Sequence, residues 1–288
     1  MPAAIRPRRS VLYMPGSNAR ALEKAKELPA DGLILDLEDA VAPDAKATAR
    51  DQVAAAVRQG GFGRREVLVR VNGPDTQWGP DDLAAMAACG ADGVVLPKVR
   101  SPADVLAAIQ ALDAACGPAD LPVWAMMETP QGILNAGEIA GCHPRLAGLI
   151  LGTADLAKDL GCAHTPDRLP FLTSFGLCLL AGRAHGLAVL DGVHLELEDA
   201  AGLEAACRQG RDLGFDGKTL IHPRQIAAAN AAFAPTAEEV AAARRLIAAY
   251  AEAEAAGRGV VVLDGRLVER LHVEQARRLL TLAEAVAD

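Results

Sequence analysis

Eight short apolar runs recur at regular intervals through the chain: SVLYMPG (10–16), GLILDLED (32–39), EVLVRVN (66–72), GVVLPK (93–98), VWAMMET (123–129), AGLILGT (147–153), LAVLDGV (187–193) and GKTLIHP (217–223). Each is nearly continuous in apolar character rather than alternating, which implies strands buried on both faces. The Ala-rich amphipathic segments between them read as helices, so the unit is βα, repeated. Eight such units predict an α/β fold, a closed (β/α)8 TIM barrel. An open doubly wound sheet is the alternative, and the number of units favours the barrel. Residues 1–234 would form the barrel. Residues 235–288 would form a C-terminal appendage: a helix around 236–256, a short strand in GVVVLDG, and a final helix near 270–286.

The composition excludes several classes of function. With 51% hydrophobic residues the chain can bury a large core, and with 3% aromatics it lacks base-stacking surface. Its net charge is −8, and its Lys and Arg residues are scattered, so no nucleic acid partner is expected. The basic start (Arg6, Arg8, Arg9) is followed by an apolar run that breaks at Pro15 and Gly16, too short for a signal sequence. No run approaches the roughly 20 apolar residues of a membrane span. The expectation is a cytoplasmic protein. The six cysteines are isolated and read as small buried hydrophobes, and no His spacing supports zinc.

Polar residues gather at the C-terminal ends of the runs: Asp36, Glu38 and Asp39; Arg70 and Asn72; Lys98; Glu128; Asp155; Asp191; and His222. In a barrel those ends converge on the face that carries active sites. Glu128 and Asp155 end adjacent strands, and two hard oxygen ligands without nearby Cys or His suggest Mg²⁺ or Mn²⁺. The structural alternative is that each carboxylate caps a helix or pairs with Arg70. Arg70 could fork onto a substrate carboxylate or pair with Asp36 or Asp39, and both could hold together. Asp36 and Asp39 are accordingly candidate catalytic partners, orienting Arg70 or metal-bound waters. Gly152 would let backbone N–H groups approach a substrate carboxylate, or would simply be a turn. Gly16, Ser17 and the helix start near Asn18 resemble a phosphate cradle only loosely.

RSVLYMPGS, DLEDAVAPDAK, VRVNG, LPKV, METPQG, GTADLA and GKTLIHPRQ together resemble the citrate lyase β-subunit-like family of the HpcH/HpaI aldolases. In pattern the chain is similar to malyl-CoA lyases, citramalyl-CoA lyases and malyl-CoA thioesterases. The resemblance implies a TIM barrel, Mg²⁺, and CoA thioester and α-oxo acid substrates. It implies Glu128 and Asp155 as metal ligands and Arg70 as binder of the oxo-acid end. It also implies Tyr13 and Lys24 as CoA contacts, and Ile221 with His222 as contacts of the thioester. Asn18 stands where related lyases carry an Arg, a role Arg20 could take over. Glu269, in DGRLVERL, stands where they carry an Asp that acts as general acid/base across a subunit interface. A homotrimer or hexamer follows from the same likeness, with the appendage as a lid on a neighbour. The leading expectation is Mg²⁺-dependent carbon–carbon cleavage of malyl-CoA or citramalyl-CoA. The rivals are thioester hydrolysis at the same site and citrate lyase β-subunit activity on a carrier-bound citryl thioester. Lys98 is the one candidate for a Schiff base, which this chemistry does not require.

Overall fold

The computed structural model describes residues 6–287. Eight parallel strands close a barrel: β1 (Ser10–Pro15), β2 (Gly32–Asp36), β3 (Glu66–Arg70), β4 (Gly93–Leu96), β5 (Val123–Met127), β6 (Leu146–Leu151), β7 (Ala188–Asp191) and β8 (Gly217–Leu220). The barrel closes where β1 pairs β8, with Val11 opposite Thr219, and this pairing rules out the open sheet. Helices cover the outside and are punctuated as their sequences require. Asp199 caps the helix Ala200–Leu213 by accepting from Gly202 N at 2.9 Å, and Gly214 ends it at φ +103°.

The barrel interior is filled by Val11, Ile34, Leu68, Val95, Trp124, Met126, Ile150 and Leu190. Trp124 needs the space left by Gly148, whose missing Cβ would run into the indole. At the N-terminal end of the barrel, Arg8 lies 5.0 Å over the Trp124 ring and donates to Glu66 Oε1 at 2.7 Å. Strand side chains alternate, so the residues two positions beyond this apolar layer also face inward. They include Tyr13, Asp36, Arg70, Glu128 and Gly152, and a polar layer therefore sits on an apolar plug at the C-terminal mouth.

Residues from 233 onward form a separate compact unit. It contains the helices Ala237–Ala255 and Arg270–Ala287, packed around Tyr250, Val268 and Val273. Between them lies an antiparallel hairpin, β9 (Val261–Leu263) and β10 (Arg266–Val268), where the sequence reading has a single strand. Asp264 (φ +49°) and Gly265 (φ +75°) make its two-residue turn, the Asp-Gly signal of a tight hairpin. The cysteines also depart from expectation: Cys89, Cys178 and Cys207 are buried, Cys116 is exposed, and Cys142 and Cys162 are half-buried. The last three stand just past helix ends, where the chain turns outward. Among the described residues no helix is long and apolar enough to cross a membrane.

Candidate active site

Glu128 leaves β5 pointing into the barrel mouth, only 2% exposed. Its Oε1 accepts the backbone N–H of Lys98 at 2.7 Å, and that N–H is aimed there by a left-handed turn at Lys98, φ +52°. The loops after β4 and β5 are stitched together around this bond. The Thr129 hydroxyl donates to Val99 O at 3.3 Å and accepts from Gly132 N at 3.0 Å. A side chain at Gly132 would collide with Val99 O, and Asn135 Nδ2 donates to Arg100 O at 2.8 Å. The close approach at Gly132 thus holds the loop that carries Glu128. Its other oxygen, Oε2, lies where a Cβ on Gly152 would fall. Gly152 N–H itself donates to Met127 O at 3.2 Å, and its missing side chain supplies the space for Glu128. Asp155 stands in the first turn of the helix Thr153–Leu160. Burial pushes the Glu128 carboxyl up to about 7, aided by the charges of Glu38 and Asp155 and opposed by the Lys98 N–H and Arg70.

Arg70 is clamped by Asp36 in two parallel bonds, Nε to Oδ1 and Nη2 to Oδ2, each 2.7 Å. Asp36 also accepts Glu38 N at 2.9 Å and Ala40 N at 3.1 Å, so it orients Arg70 and its own loop at once. The guanidinium lies 4.9 Å over the Tyr13 ring. Its remaining edge, Nη1, is 3.0 Å from Glu38 Oε2 but out of line for a hydrogen bond, which leaves that buried oxygen without one. Lys98 Nζ bonds Glu38 Oε1 and lies 3.6 Å from Asp39 and 4.0 Å from Asp155. The Glu38 carboxyl is raised by its burial, which Arg70 and Lys98 only partly offset.

Two of the expected residues, Asp191 and Gly16, are committed to the fold. Asp191 follows the interior residue Leu190, so alternation turns it outward. There it accepts from Arg168 Nη1 at 2.7 Å and Lys218 Nζ at 3.0 Å, a buried cluster behind the barrel wall. Gly16 is a packing glycine: its N–H donates to Asp36 O at 2.8 Å, and a Cβ there would lie 2.7 Å from that oxygen. Asn18 caps the helix Ala19–Ala25 by accepting from Ala21 N at 3.1 Å, and Lys24 is exposed at the end of that helix. His222 accepts Arg224 N through Nδ1 at 3.1 Å, and its neighbour Ile221 is 38% exposed. Glu269 is exposed where the helix Arg270–Ala287 begins, its N–H donating to His272 Nδ1 at 3.0 Å. The sequence reading passed over Lys46. Its ammonium donates to Leu37 O at 3.0 Å and Glu38 O at 2.9 Å beneath the Trp78 ring, fixing the acidic loop.

Beside these residues opens a cleft of about 820 Å³, lined among others by Glu38, Lys98, Val41, Pro74, Trp78 and Gln131. The mouth holds five carboxylates, Asp36, Glu38, Asp39, Glu128 and Asp155, against Arg70 and Lys98, with Lys158 reaching Asp155 from solvent. Oxygen donors with excess negative charge suit a hard divalent cation. Among the described residues no group of three or more His, Cys, Asp or Glu is arranged to hold a metal. Glu128 and Asp155 could hold such a cation, with water and substrate oxygens in the rest of its shell, the habit of Mg²⁺.

Residues 9–223 match the profile of the HpcH/HpaI aldolase/citrate lyase family. Over 281 residues the chain is 55% identical to the (3S)-malyl-CoA thioesterase of Cereibacter sphaeroides, covering 98% of this chain and 96% of the relative. It is 39% identical over 284 residues to citrate lyase subunit beta of Escherichia coli, covering 97% and 94% respectively. Among solved structures, CitE of Mycobacterium tuberculosis in complex with magnesium, acetoacetate and coenzyme A superposes with a TM-score of 0.78 at 32% identity. That match covers 96% of this chain and 97% of the other.

Proposed function

Because the chain belongs to the HpcH/HpaI aldolase/citrate lyase family, we propose that it is a Mg²⁺-dependent cytoplasmic enzyme that acts on a short 3-hydroxyacyl-CoA and hydrolyses the thioester of malyl-CoA. The observation that carries the reading is Glu128, a buried carboxylate pinned by one oxygen, beside Asp155, in a mouth with excess negative charge. Hydrolysis is placed ahead of carbon–carbon cleavage because of the 55% identity to (3S)-malyl-CoA thioesterase. Glu128 and Asp155 would hold the cation, which when bound supplies a Lewis acid for substrate oxygens. Arg70, fixed by Asp36 and Tyr13, would hold the substrate carboxylate, with Asp39 on the same rim. Tyr13 and Lys24 would meet CoA, and Ile221 and His222 the thioester end. In hydrolysis the oxygen of water bonds to the thioester carbon, the carbon–sulfur bond breaks, and the leaving sulfur takes the proton. Glu269 of a second copy would hold that proton in transit.

Carbon–carbon cleavage at the same site is the second reading, favoured by the 39% identity to citrate lyase subunit beta. There the substrate alkoxide collapses to an α-oxo acid, the thioester fragment leaves as an enolate, and Glu269 protonates that carbon. A homotrimer or hexamer belongs to both readings. Association of copies is supported by the helix Leu172–Ala184, which buries Phe175 and Cys178 on one side yet presents Leu177, 39% exposed, and Leu180, 72% exposed, on the other. Incubation of the purified protein with (3S)-malyl-CoA and Mg²⁺ decides between the reactions. Malate with free CoA supports hydrolysis, and glyoxylate with acetyl-CoA supports cleavage. Turnover of carrier-bound citryl thioester alone would assign it to a citrate lyase complex.

A further inference from the structure

Lys98 touches both proposed metal ligands. Its backbone is left-handed at φ +52°, a conformation that L residues rarely adopt, and the β4 and β5 loops are interlocked around it. This turn aims one group at each part of the acidic mouth. The N–H takes Glu128 Oε1 at 2.7 Å, which leaves Oε2 uncommitted. The side chain, 45% exposed, carries the ammonium to Glu38, to 3.6 Å from Asp39, and to 4.0 Å from Asp155 Oδ2. One residue thus fixes one proposed metal ligand and sets a unit charge against the other. Neither Arg70 nor Lys158 does this. Arg70 is committed to Asp36, and Lys158, 70% exposed, touches Asp155 only from the solvent side.

The geometry points to Lys98 as a resident counter-cation: its ammonium compensates the acidic mouth before metal binds and competes with the divalent ion, so that this lysine sets the metal affinity while its backbone presents Glu128. This rests on the proposed metal site. A fixed positive charge within a few ångströms of a divalent ion opposes binding strongly where solvent is partly excluded, and far less where it is not. A neutral side chain at 98 removes that opposition and leaves the carboxylates uncompensated, and both effects tighten binding.

The test is calorimetric titration of chelator-treated enzyme with Mn²⁺ and with Mg²⁺, with no substrate present. Lys98→Met and Lys98→Gln are each expected to bind on the order of tenfold more tightly than the natural protein. Lys98→Arg and Lys158→Met should stay within about threefold. Thermal unfolding of each variant identifies any that fails to fold, and agreement between the two neutral variants separates lost charge from lost packing. Unchanged or weaker binding in both neutral variants, with the natural protein still binding and Glu128→Gln not, overturns the role of Lys98 and leaves the metal site standing. No saturable binding by the natural protein overturns both.

Discussion

Glu128 and Gly152 work as a pair, since the carboxylate occupies the space that a side chain at 152 would need. Gly152→Ala must displace Glu128 Oε2, and a shift of about 1 Å at a reacting centre can cost on the order of 10²-fold in rate. Activity on malyl-CoA should fall by that order while the melting temperature moves by only a few degrees; full activity would dissociate Gly152 from the site. The same carboxyl gives the protein a pH signature. In the folded chain it ionises near 7, above its ordinary 4.5, so the unfolded chain releases this proton first and metal-free stability drains away as pH rises from about 4.5 to about 7. As a proposed ligand, Glu128 would bind Mg²⁺ only in its ionised form. The stability gained from Mg²⁺, read as the difference between urea unfolding in chelator and in saturating metal, should grow by about 1.4 kcal/mol per pH unit below 7 and level off above it. A gain independent of pH would mean that Glu128 is not a ligand. The pairing of residue types on the rim was legible in the sequence. The left-handed turn at Lys98 and the spent N–H of Gly152 were not, because a φ angle and a hydrogen-bond partner depend on loops that meet only in the folded barrel.

Strands buried on both faces announce themselves as apolar runs, which is why all eight barrel strands stand where the runs do. What such runs hide is the direction of each side chain at the strand's end. Asp191 reads as a rim residue from its place after LAVL, yet it lies in the layer behind the barrel wall with Arg168 and Lys218. Counting outward from Leu190 by twos would have excluded it. The hairpin β9–β10 was legible too, in Asp264-Gly265, but the apolar GVVV masked it as a single strand. The outward cluster permits a test apart from the active site. Lys218 and Asp191 are fully buried, so Lys218→Met leaves an acid that has lost one of two cations, and removing one partner of a buried pair typically costs about 3–5 kcal/mol. Arg168 still compensates Asp191, which places the expected loss at the lower end, about 3 kcal/mol by urea unfolding. Turnover per folded molecule should hold, and a loss of turnover at unchanged stability would move this cluster into the site.

The barrel mouth carries the proposed cation ligands and an oriented guanidinium, whereas the proposed proton carrier, Glu269, belongs to the compact unit that includes residues from 233 onward. If each site takes Glu269 from a second copy, two separately inactive proteins must restore one another. Arg70→Met removes the guanidinium and keeps Glu269; Glu269→Gln keeps the guanidinium and removes the carboxylate. Random co-assembly of equal amounts puts an intact Arg70 and an intact neighbouring Glu269 together in about a quarter of the sites. Co-expressed variants should therefore show about a quarter of natural turnover, although each alone shows almost none. Leu180→Glu, a charge on the exposed apolar side of the helix Leu172–Ala184, should in turn shift the protein to a smaller species in sedimentation and lower the turnover with it. Were Glu269 to serve its own barrel, the mixture would stay as inactive as its parts however well it assembled, because every site would carry one of the two defects.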